Sequence, residues 1–588
     1  MSRHPRTVPA VSRTAPRHGQ AAHEPLGYFD LSGSGKPALV PRRVQRALTP
    51  WWRRDVLWFS ALAALVYGLT AVILAANSIH FADAYSRVAS AYAAVAGRDP
   101  HLPAIGFVWN PLPTLSAIAL LPLSAVWPAV TGYALAGGFV SALSMAGAVT
   151  LVARSLRQLL VPTTWRRILT GLCAIQPMIL LYAGNGMSEA MMLCWLMMTI
   201  TGLIDWVQNP RPAPLMLAGL GLGLTYLTRY EAVAPALAVT AFVGYVSWAR
   251  ADGGRSYRLH TAIADAALVA LPAAFTFGAW AALSKSLVNQ WFATFSSEYG
   301  NSAQVQRRLA INEQEIGGNL AETAGFLIHQ LFILSPLLLP ILLVAVVAAV
   351  RSRQLTAAVP LLVLGSVLLF DNAVTLSGNS LGWLRFQIAV IPLTVFAAGI
   401  ALVGLQRSLE LSADPTGRRA PVTLAVMLSL LAMVAAAIPW QMQTLTNHSG
   451  TLAREEQYML KSWLNPAAAN PQDHAARQLF TTEREIAGYL DDLNLPEGSV
   501  LTDTAYSYSV VLASRHPTQF VITSDRDFTQ SVQQPRQNGV QYFLVADYGG
   551  ADAVRTHYPD LLNDGAGIAT LQKRWDAYLG TWSLYHVP

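Results

Sequence analysis

Apolar residues form long runs along the chain, and charged residues collect between them. A transmembrane helix needs about 20 consecutive apolar residues, and eleven runs approach that length. They lie near residues 56–77, 131–153, 168–184, 190–206, 213–228, 233–249, 262–283, 324–350, 357–376, 387–405 and 421–440. A further stretch, 111–129, is shorter and interrupted by proline. The pattern predicts a polytopic α-helical membrane protein with about eleven transmembrane helices.

Positive charge orients these helices, because basic loops stay on the cytoplasmic side. Residues 1–54 are rich in arginine and place the N-terminus in the cytoplasm. The basic loops "ARSLRQLLVPTTWRR" and "ARADGGRSYRLH" then also fall inside, provided that 111–129 dips into the membrane without crossing it. The outer side receives a long first loop, 78–130, another loop, 284–320, and the C-terminal region. Irregular backbone at membrane depth needs protein or a water-filled cavity around it, so the first loop indicates an outer cavity.

The composition changes at about residue 441, which ends a membrane domain predicted over 55–440. The stretches "LPEGSVLTDTAYSYSVVLASRHPTQFVITSD" and "NGVQYFLVADYG" read as short apolar strands between polar turns. The stretch "DAVRTHYPDLL" has a helical pattern. Residues 441–588 are therefore predicted to form a small extracytoplasmic α/β domain. This region has no Gly-rich phosphate loop and no cluster with metal-ligand spacing.

The composition supports a membrane protein and limits the kinds of partner that the chain is expected to bind. Of the 588 residues, 53% are hydrophobic and 12% are charged, whereas about 25% are charged in soluble domains. The net charge is +7, and much of it lies in the tail 1–54, which is predicted to be disordered and cytoplasmic. Anionic lipid, not nucleic acid, is the expected contact of that tail. Cys173 and Cys194 both lie in apolar runs, which argues against a disulfide framework and a thiolate metal site.

Polar residues from several separate segments gather on the predicted outer face. Ionisable residues at membrane depth are costly and are functional candidates by default. Each of these residues can also be explained without a functional role, as a helix-terminal charge, an interfacial anchor or a member of an i,i+4 pair. Their combination favours a site. The candidates are Asp83, Arg87, Asp99, His101, Asn110, Asn185, Glu189, Arg229, Glu231, Asn379 and Arg385.

The chemistry of these residue types suits transfer from a lipid-linked phosphosugar. Arginine binds phosphate bidentately and keeps its charge. A carboxylate at the same depth can accept the proton of an attacking sugar hydroxyl. A transporter or lipid flippase is the alternative, since it would also place charges in an outer cavity. However, the two halves of the chain show no repeat of the kind that transporters often have. A scaffold that presents the C-terminal domain is the third reading, and it leaves the charge cluster unexplained.

The order of short motifs resembles the GT-C superfamily of membrane glycosyltransferases. An Asp follows the first helix in "DAYSRVASAYAAVAGRDPHLPAIGFVWNPLPTL", and the segments "GNGMSEA", "TRYEA" and "WLRFQIAVIP" come later in the chain. The resemblance covers about residues 56–405. It implies a donor in which a polyprenyl phosphate carries a pentose or hexose, such as arabinose or mannose. It also implies inversion at the sugar carbon and an acceptor that is a cell-envelope glycan, a glycolipid or a protein.

The resemblance also assigns roles to residues. Asp83 takes the place of the base, and Asp99 is the nearest match to a second first-loop acid. Arg385 takes the place of the phosphate contact, with Arg229 and Arg87 as further candidates. A divalent metal, Mg²⁺ or Mn²⁺, stays open, with Asp83 and Glu189 as its only candidate ligands. The implied location is the inner or plasma membrane, and the high Ala and Arg content suits an actinobacterium.

Overall fold

The computed structural model describes residues 52–297, 300–310, 319–411, 419–447, 452–548 and 552–588. The predicted basic tail lies almost wholly outside the described residues, as does part of the loop predicted over 284–320. The membrane domain is built from apolar helices, and the strands all lie in the C-terminal region.

Eight helices among the described residues are long and apolar enough to cross a membrane. They are Trp52–Ala76, Leu135–Gln158, Glu189–Gln208, Val233–Arg250, Arg255–Val288, Leu355–Leu376, Val390–Leu411 and Arg419–Asn447. Two bent pairs add Thr163–Ala174 with Pro177–Gly184, at 60°, and Leu320–Leu334 with Leu338–Ser352, at 80°. The helix Pro212–Thr228 is apolar but shorter. These eight helices, two bent pairs and one short helix fall on the eleven apolar runs, which confirms the predicted polytopic membrane fold.

The first loop contains no spanning helix among its described residues. Its main element is the helix Ala82–Ala96, called here the loop helix. The stretch 111–129, which was predicted to dip without crossing, forms only short pieces because its prolines interrupt regular helix. These pieces are Leu112–Ile118, Leu121–Ala125 and the start of Ala129–Gly132, and the short turn Leu102–Ile105 precedes them. Short helices also follow the span that ends at Val288, at Ala293–Ser296 and Asn301–Ala310.

Glycines bring the first span, the second span and the bent pair into close contact. A Cβ atom on Gly184 would lie 2.8 Å from the backbone nitrogen of Ala71, and one on Gly138 would lie 2.9 Å from the carbonyl oxygen of Gly184. Only glycine permits backbones to approach this closely, as small residues do between helices in membranes. The chain segments that leave these helices, including the start of the loop helix, are therefore held near one another.

The C-terminal region has a helical part and an α/β part. Its helices are Arg454–Leu464, Pro471–Ala476, Thr481–Asp492, Thr504–Ala513, Phe528–Gln533, Ala553–His557 and Leu561–Asp564. Five strands, β1 (Val500–Thr502), β2 (Phe520–Ile522), β3 (Tyr542–Asp547), β4 (Thr570–Ala577) and β5 (Gly580–His586), form one sheet in the order β2-β1-β3-β5-β4. β1 is parallel to β2 and β3, and β5 is antiparallel to β3 and β4.

The structure of this region differs from the sequence expectations in three respects. The stretch "TAYSYSVVLA", which was read as strand, is the helix Thr504–Ala513, because the side chain of Asp503 accepts a hydrogen bond from the Ala505 amide and caps it. The strands β4 and β5 were not predicted. The last apolar run, predicted to end near 440, continues as helix to Asn447.

The loop helix and the sheet share one apolar core. Ala93 of the loop helix is buried in the same cluster as Ile486, Leu490 and Val510. Arg98, just after the loop helix, donates two hydrogen bonds to Asp525 at 3.0 and 2.9 Å and also contacts Asp527. The first loop therefore joins the C-terminal domain to the membrane domain.

Candidate active site

The first candidate residue, Asp83, lies in the first turn of the loop helix, where the helix dipole favours a negative charge. The segment that carries Glu189 packs directly against this turn. Gly186 has φ of +80°, and a Cβ atom there would lie 2.9 Å from the Cβ of Ala84. Both the backbone angle and the close contact require glycine at this position. The motif "GNGMSEA" thus places Glu189 beside the start of the loop helix.

Arg385 connects three acids from different parts of the chain. It lies in the short turn Leu384–Gln387, which precedes the span Val390–Leu411. Its Nη2 atom is 3.1 Å from Oδ2 of Asp83, and its Nε atom is 3.3 Å from Oε1 of Glu189. Its Nη1 atom contacts Oε2 of Glu455. The guanidinium is nearly buried and is therefore held by charge on three sides.

Arg229 extends the same cluster. Its Nη1 atom lies 2.6 Å from Oε1 of Glu189, and its Nε atom donates to Glu231 at 2.9 Å. Glu189 has no exposed side-chain surface, so it is a buried carboxylate shared by two arginines. The ring of Phe386 lies 5.3 Å from the Arg229 guanidinium and 5.5 Å from that of Arg385. Cation–π contacts of this kind help to fix both cations.

Arg87 differs from the other two arginines. It is buried one turn after Asp83, its guanidinium lies 5.1 Å from the Trp109 ring, and its Nη1 atom lies 3.9 Å from the sulfur of Met187. In the part of the chain that the structure describes, Arg87 forms no salt bridge, and its Nε atom has no hydrogen-bond partner. Burial lowers the pKa of Arg87, because removing a cation from water is unfavourable. A buried cation without a paired acid is a natural anion-binding group.

The asparagine candidates have local partners. Asn110 donates to the carbonyl of Tyr226, which ties the first loop to the end of the helix Pro212–Thr228. Asn185 accepts from the Met187 amide at 3.0 Å, and its buried Nδ2 atom has no partner among the described residues. Asn379 is exposed and donates to the hydroxyl of Ser377 at 3.0 Å. Their proposed participation in the site stays a prediction.

Asp99 and His101 lie where the first loop meets the C-terminal domain. The backbone amide of Arg526 donates to Asp99 at 2.9 Å, and this hydrogen bond lowers the pKa of Asp99. His101 contacts the Asp99 carbonyl through its Nδ1 atom at 2.6 Å. The polar partners of both residues thus belong to this junction, not to the Arg385 cluster. The role of Asp99 as a second acid stays a prediction.

The sequence interpretation missed two adjacent acids, Glu455 and Glu456. They begin the helix Arg454–Leu464, called here the post-span helix, which follows the last transmembrane helix. Glu455 contacts Arg385, whereas Glu456 is buried and accepts from the Tyr182 hydroxyl at 2.7 Å. The sequence offered one signal, because "AREEQ" places two adjacent carboxylates in the segment that follows the last apolar run.

The candidate metal ligands, Asp83 and Glu189, are not arranged to bind a metal ion together. Asp83 and Glu189 face different nitrogens of Arg385, so a guanidinium stands where a shared cation would have to bind. The described residues contain no group of three or more His, Cys, Asp or Glu side chains placed to hold a metal ion.

Comparisons with known proteins give a match in fold. No protein-family model matches the chain, and no curated protein matches it in sequence. The crystal structure of ArnT from Cupriavidus metallidurans bound to undecaprenyl phosphate superposes with a TM-score of 0.50 at 14% identity, covering 90% of this chain and 97% of ArnT. The archaeal oligosaccharyltransferase AglB from Archaeoglobus fulgidus gives a TM-score of 0.43 at 11% identity, covering 91% of this chain and 74% of AglB.

This chain has the GT-C fold. The fold that the motif order predicted is therefore confirmed, including the small C-terminal α/β unit. Within the GT-C fold of this chain, the loop helix, the segment before Glu189, the turn at Arg385 and the post-span helix meet at one place. With the turn that carries Arg229 and Glu231, five sequence-distant segments converge on Arg229, Arg385 and their acids, and Arg87 lies on the loop helix among them.

Proposed function

We propose that this protein is an integral membrane glycosyltransferase that uses a polyprenyl-phosphate sugar as its donor. The observation that carries the proposal is the contact between Asp83 and Arg385, at 3.1 Å. It brings a carboxylate that can act as a base next to a guanidinium that can hold a phosphate. The GT-C fold supports the proposal, and so does ArnT, whose crystal structure has undecaprenyl phosphate bound.

In the proposed reaction, Asp83 accepts the proton of an acceptor hydroxyl as the hydroxyl oxygen attacks C1 of the sugar. The bond between C1 and the phosphate oxygen breaks, and the phosphate leaves with the electron pair. Arg385 and Arg87 stabilise the charge that develops on the leaving phosphate. Direct displacement inverts the configuration at C1. The donor sugar is a pentose or hexose, such as arabinose or mannose, and the acceptor is an envelope glycan, a glycolipid or a protein on the extracytoplasmic side.

Arg229 has a supporting role in this proposal. Its two acidic partners, Glu189 and Glu231, are both buried and neutralise it. Its charge holds Glu189 in place, and Glu189 in turn faces Arg385. Arg229 is therefore a positioning residue for the phosphate site.

Purified protein in nanodiscs, supplied with a panel of polyprenyl-phosphate sugars, tests the proposal. Release of free polyprenyl phosphate from one donor, lost in Asp83→Asn, is the expected result. Asparagine keeps the shape and the oxygen that faces Arg385 but cannot accept the proton. Lipid movement across liposomes without any release would instead support the flippase alternative.

A further inference from the structure

Each of the three guanidinium nitrogens of Arg385 faces a carboxylate in this structure, although the Nε–H makes no hydrogen bond. Its Nη2, Nε and Nη1 atoms face Asp83, Glu189 and Glu455 respectively. A guanidinium binds phosphate best through two parallel N–H groups. Each pair of parallel N–H groups on Arg385 includes a nitrogen that already faces a carboxylate, so a phosphate that binds in this way competes with at least one of the three acids.

The three carboxylates differ in how firmly they are held. Glu189 has no exposed side-chain surface and is also bound by Arg229 at 2.6 Å, so it cannot leave without unpairing a second arginine. The side chain of Glu455 is 21% exposed, and Arg385 is the only polar partner of its carboxylate in the described part of the chain. Asp83 has a similar exposure of 25% but is the proposed base, so it has to stay beside the reacting atoms.

We propose that Glu455 occupies the place on Arg385 that the donor phosphate takes, and that phosphate binding displaces it. This inference rests on the function proposed above. Glu455 then acts as an internal competitor that keeps Arg385 paired when no donor is bound. Its partly exposed side chain swings out, while Asp83 and Glu189 keep Arg385 in position.

The charges around Arg385 favour replacement of Glu455 by the phosphate over binding of the phosphate in addition to Glu455. Four carboxylates, from Asp83, Glu189, Glu231 and Glu455, already surround Arg229 and Arg385. A phosphate carries one to two further negative charges, and like charges at short distance in a poorly solvated site repel strongly. Where Glu455 is ionised, its displacement as the phosphate enters keeps the charge of the cluster near its present balance.

The protonation state of Glu455 should determine how strongly it competes with the phosphate for Arg385. The pKa of Glu455 is raised to about 8, chiefly by burial; Arg385 lowers it, and the neighbouring acids Glu456 and Asp83 raise it. The hydroxyl of Tyr182, in the bent helix pair, donates a hydrogen bond to Glu456 and lies near enough to Glu455 to interact with it electrostatically. A neutral carboxyl holds a guanidinium less strongly than a carboxylate does, so Glu455 should compete better at pH 9 than at pH 7.

The test is the affinity of the full-length protein for undecaprenyl phosphate, measured at both pH values. Glu455→Gln keeps the shape of the side chain and removes its charge. At pH 9 this variant should bind about tenfold more tightly than wild type, the change expected from losing one charge-assisted contact. At pH 7 the difference should be smaller. The second ionisation of the phosphate affects both proteins equally, so the ratio of their affinities reports on Glu455.

Three further variants separate the possible failures. Glu485→Gln removes an exposed acid from the helix Thr481–Asp492 and should leave affinity unchanged. Glu455→Asp shortens the carboxylate and should give an intermediate affinity, which provides a second test if the glutamine variant misfolds. Arg385→Gln should weaken binding; if it does not, the proposed function itself fails. If Arg385→Gln weakens binding but Glu455→Gln binds no more tightly than wild type at pH 9, only the displacement of Glu455 is overturned.

Discussion

Replacing Arg98 by alanine should loosen the junction between the first loop and the C-terminal domain. The Arg98 side chain is 14% exposed, and that of its partner Asp525 is 3% exposed. Arg98 donates to Asp525 from two nitrogens, and the Ile522 amide donates to the same carboxylate at 3.1 Å. Arg98→Ala therefore leaves a buried carboxylate with only its backbone partner.

The expected cost follows from this geometry. Breaking a buried ion pair by removing one partner costs about 3 to 5 kcal/mol. Because Asp525 keeps the hydrogen bond from the Ile522 amide, the destabilisation caused by Arg98→Ala should lie near the lower end of this range, at about 3 kcal/mol. An opening equilibrium that shifts by this amount changes by roughly a hundredfold.

Hydrogen exchange in the turn after β2 measures this opening. The amides of Ile522, Asp525 and Phe528 are hydrogen-bonded within the turn, and they should exchange up to about a hundredfold faster in Arg98→Ala. Arg526→Ala is the matched control, since its side chain is 69% exposed and lies 3.4 Å from Asp99. An exposed pair contributes at most about 1 kcal/mol, so exchange should change less than about fivefold. Equal protection in wild type and Arg98→Ala would refute the reasoning.

The buried cation Arg87, the buried acid Asp552 and the tight helix contact at Gly184 give further tests. Arg87→Gln should weaken binding of undecaprenyl phosphate about tenfold, through loss of a charge-assisted contact; unchanged binding would remove Arg87 from the phosphate site. Burial raises the pKa of Asp552 from 3.8 to about 6, so the folded chain keeps a proton that the unfolded chain has lost. The melting temperature of wild type should therefore fall as the pH rises from 3.8 to about 6, and that of Asp552→Asn should not show this decrease. Melting temperatures that change in parallel with pH in the two proteins would contradict this prediction. Gly184→Ala should cost about 1 to 3 kcal/mol through its clash with Ala71, whereas Gly68→Ala, with open space around it, should leave the melting temperature unchanged or raised.

The transmembrane helices were predictable because hydropathy is a local property. Each apolar run had to become helix, since an unpaired backbone is too costly in lipid. The prolines around 111–129 also signalled correctly that this stretch would not form a regular span. Of the site, the proximity of Asp83, Glu189, Arg229 and Arg385 followed from the motif order and the predicted outer face.

The remaining features depended on tertiary contacts. Glu455 reaches Arg385 from 70 positions further along the chain, and no local pattern indicates that approach. Asp99 resembled a catalytic acid in sequence, yet its polar partners are at the domain junction. The stretch after Asp503 has the β-branched and aromatic residues of a strand, but its capping side chain starts a helix instead. Strand β4, "TLQKRWDA", is an edge strand with largely exposed or half-buried side chains, so its apolar signal is weak.

Asp83 and Arg385 provide the most direct test of the central claim. The measurement is sugar transfer from a polyprenyl-phosphate donor by wild type, Asp83→Asn and Arg385→Gln in nanodiscs, with undecaprenyl phosphate binding measured in parallel. Loss of a general base should reduce transfer by Asp83→Asn by at least about a hundredfold while lipid-phosphate binding persists, and Arg385→Gln should lose both. Wild-type transfer by Asp83→Asn, or unchanged lipid-phosphate binding by Arg385→Gln, would contradict the account.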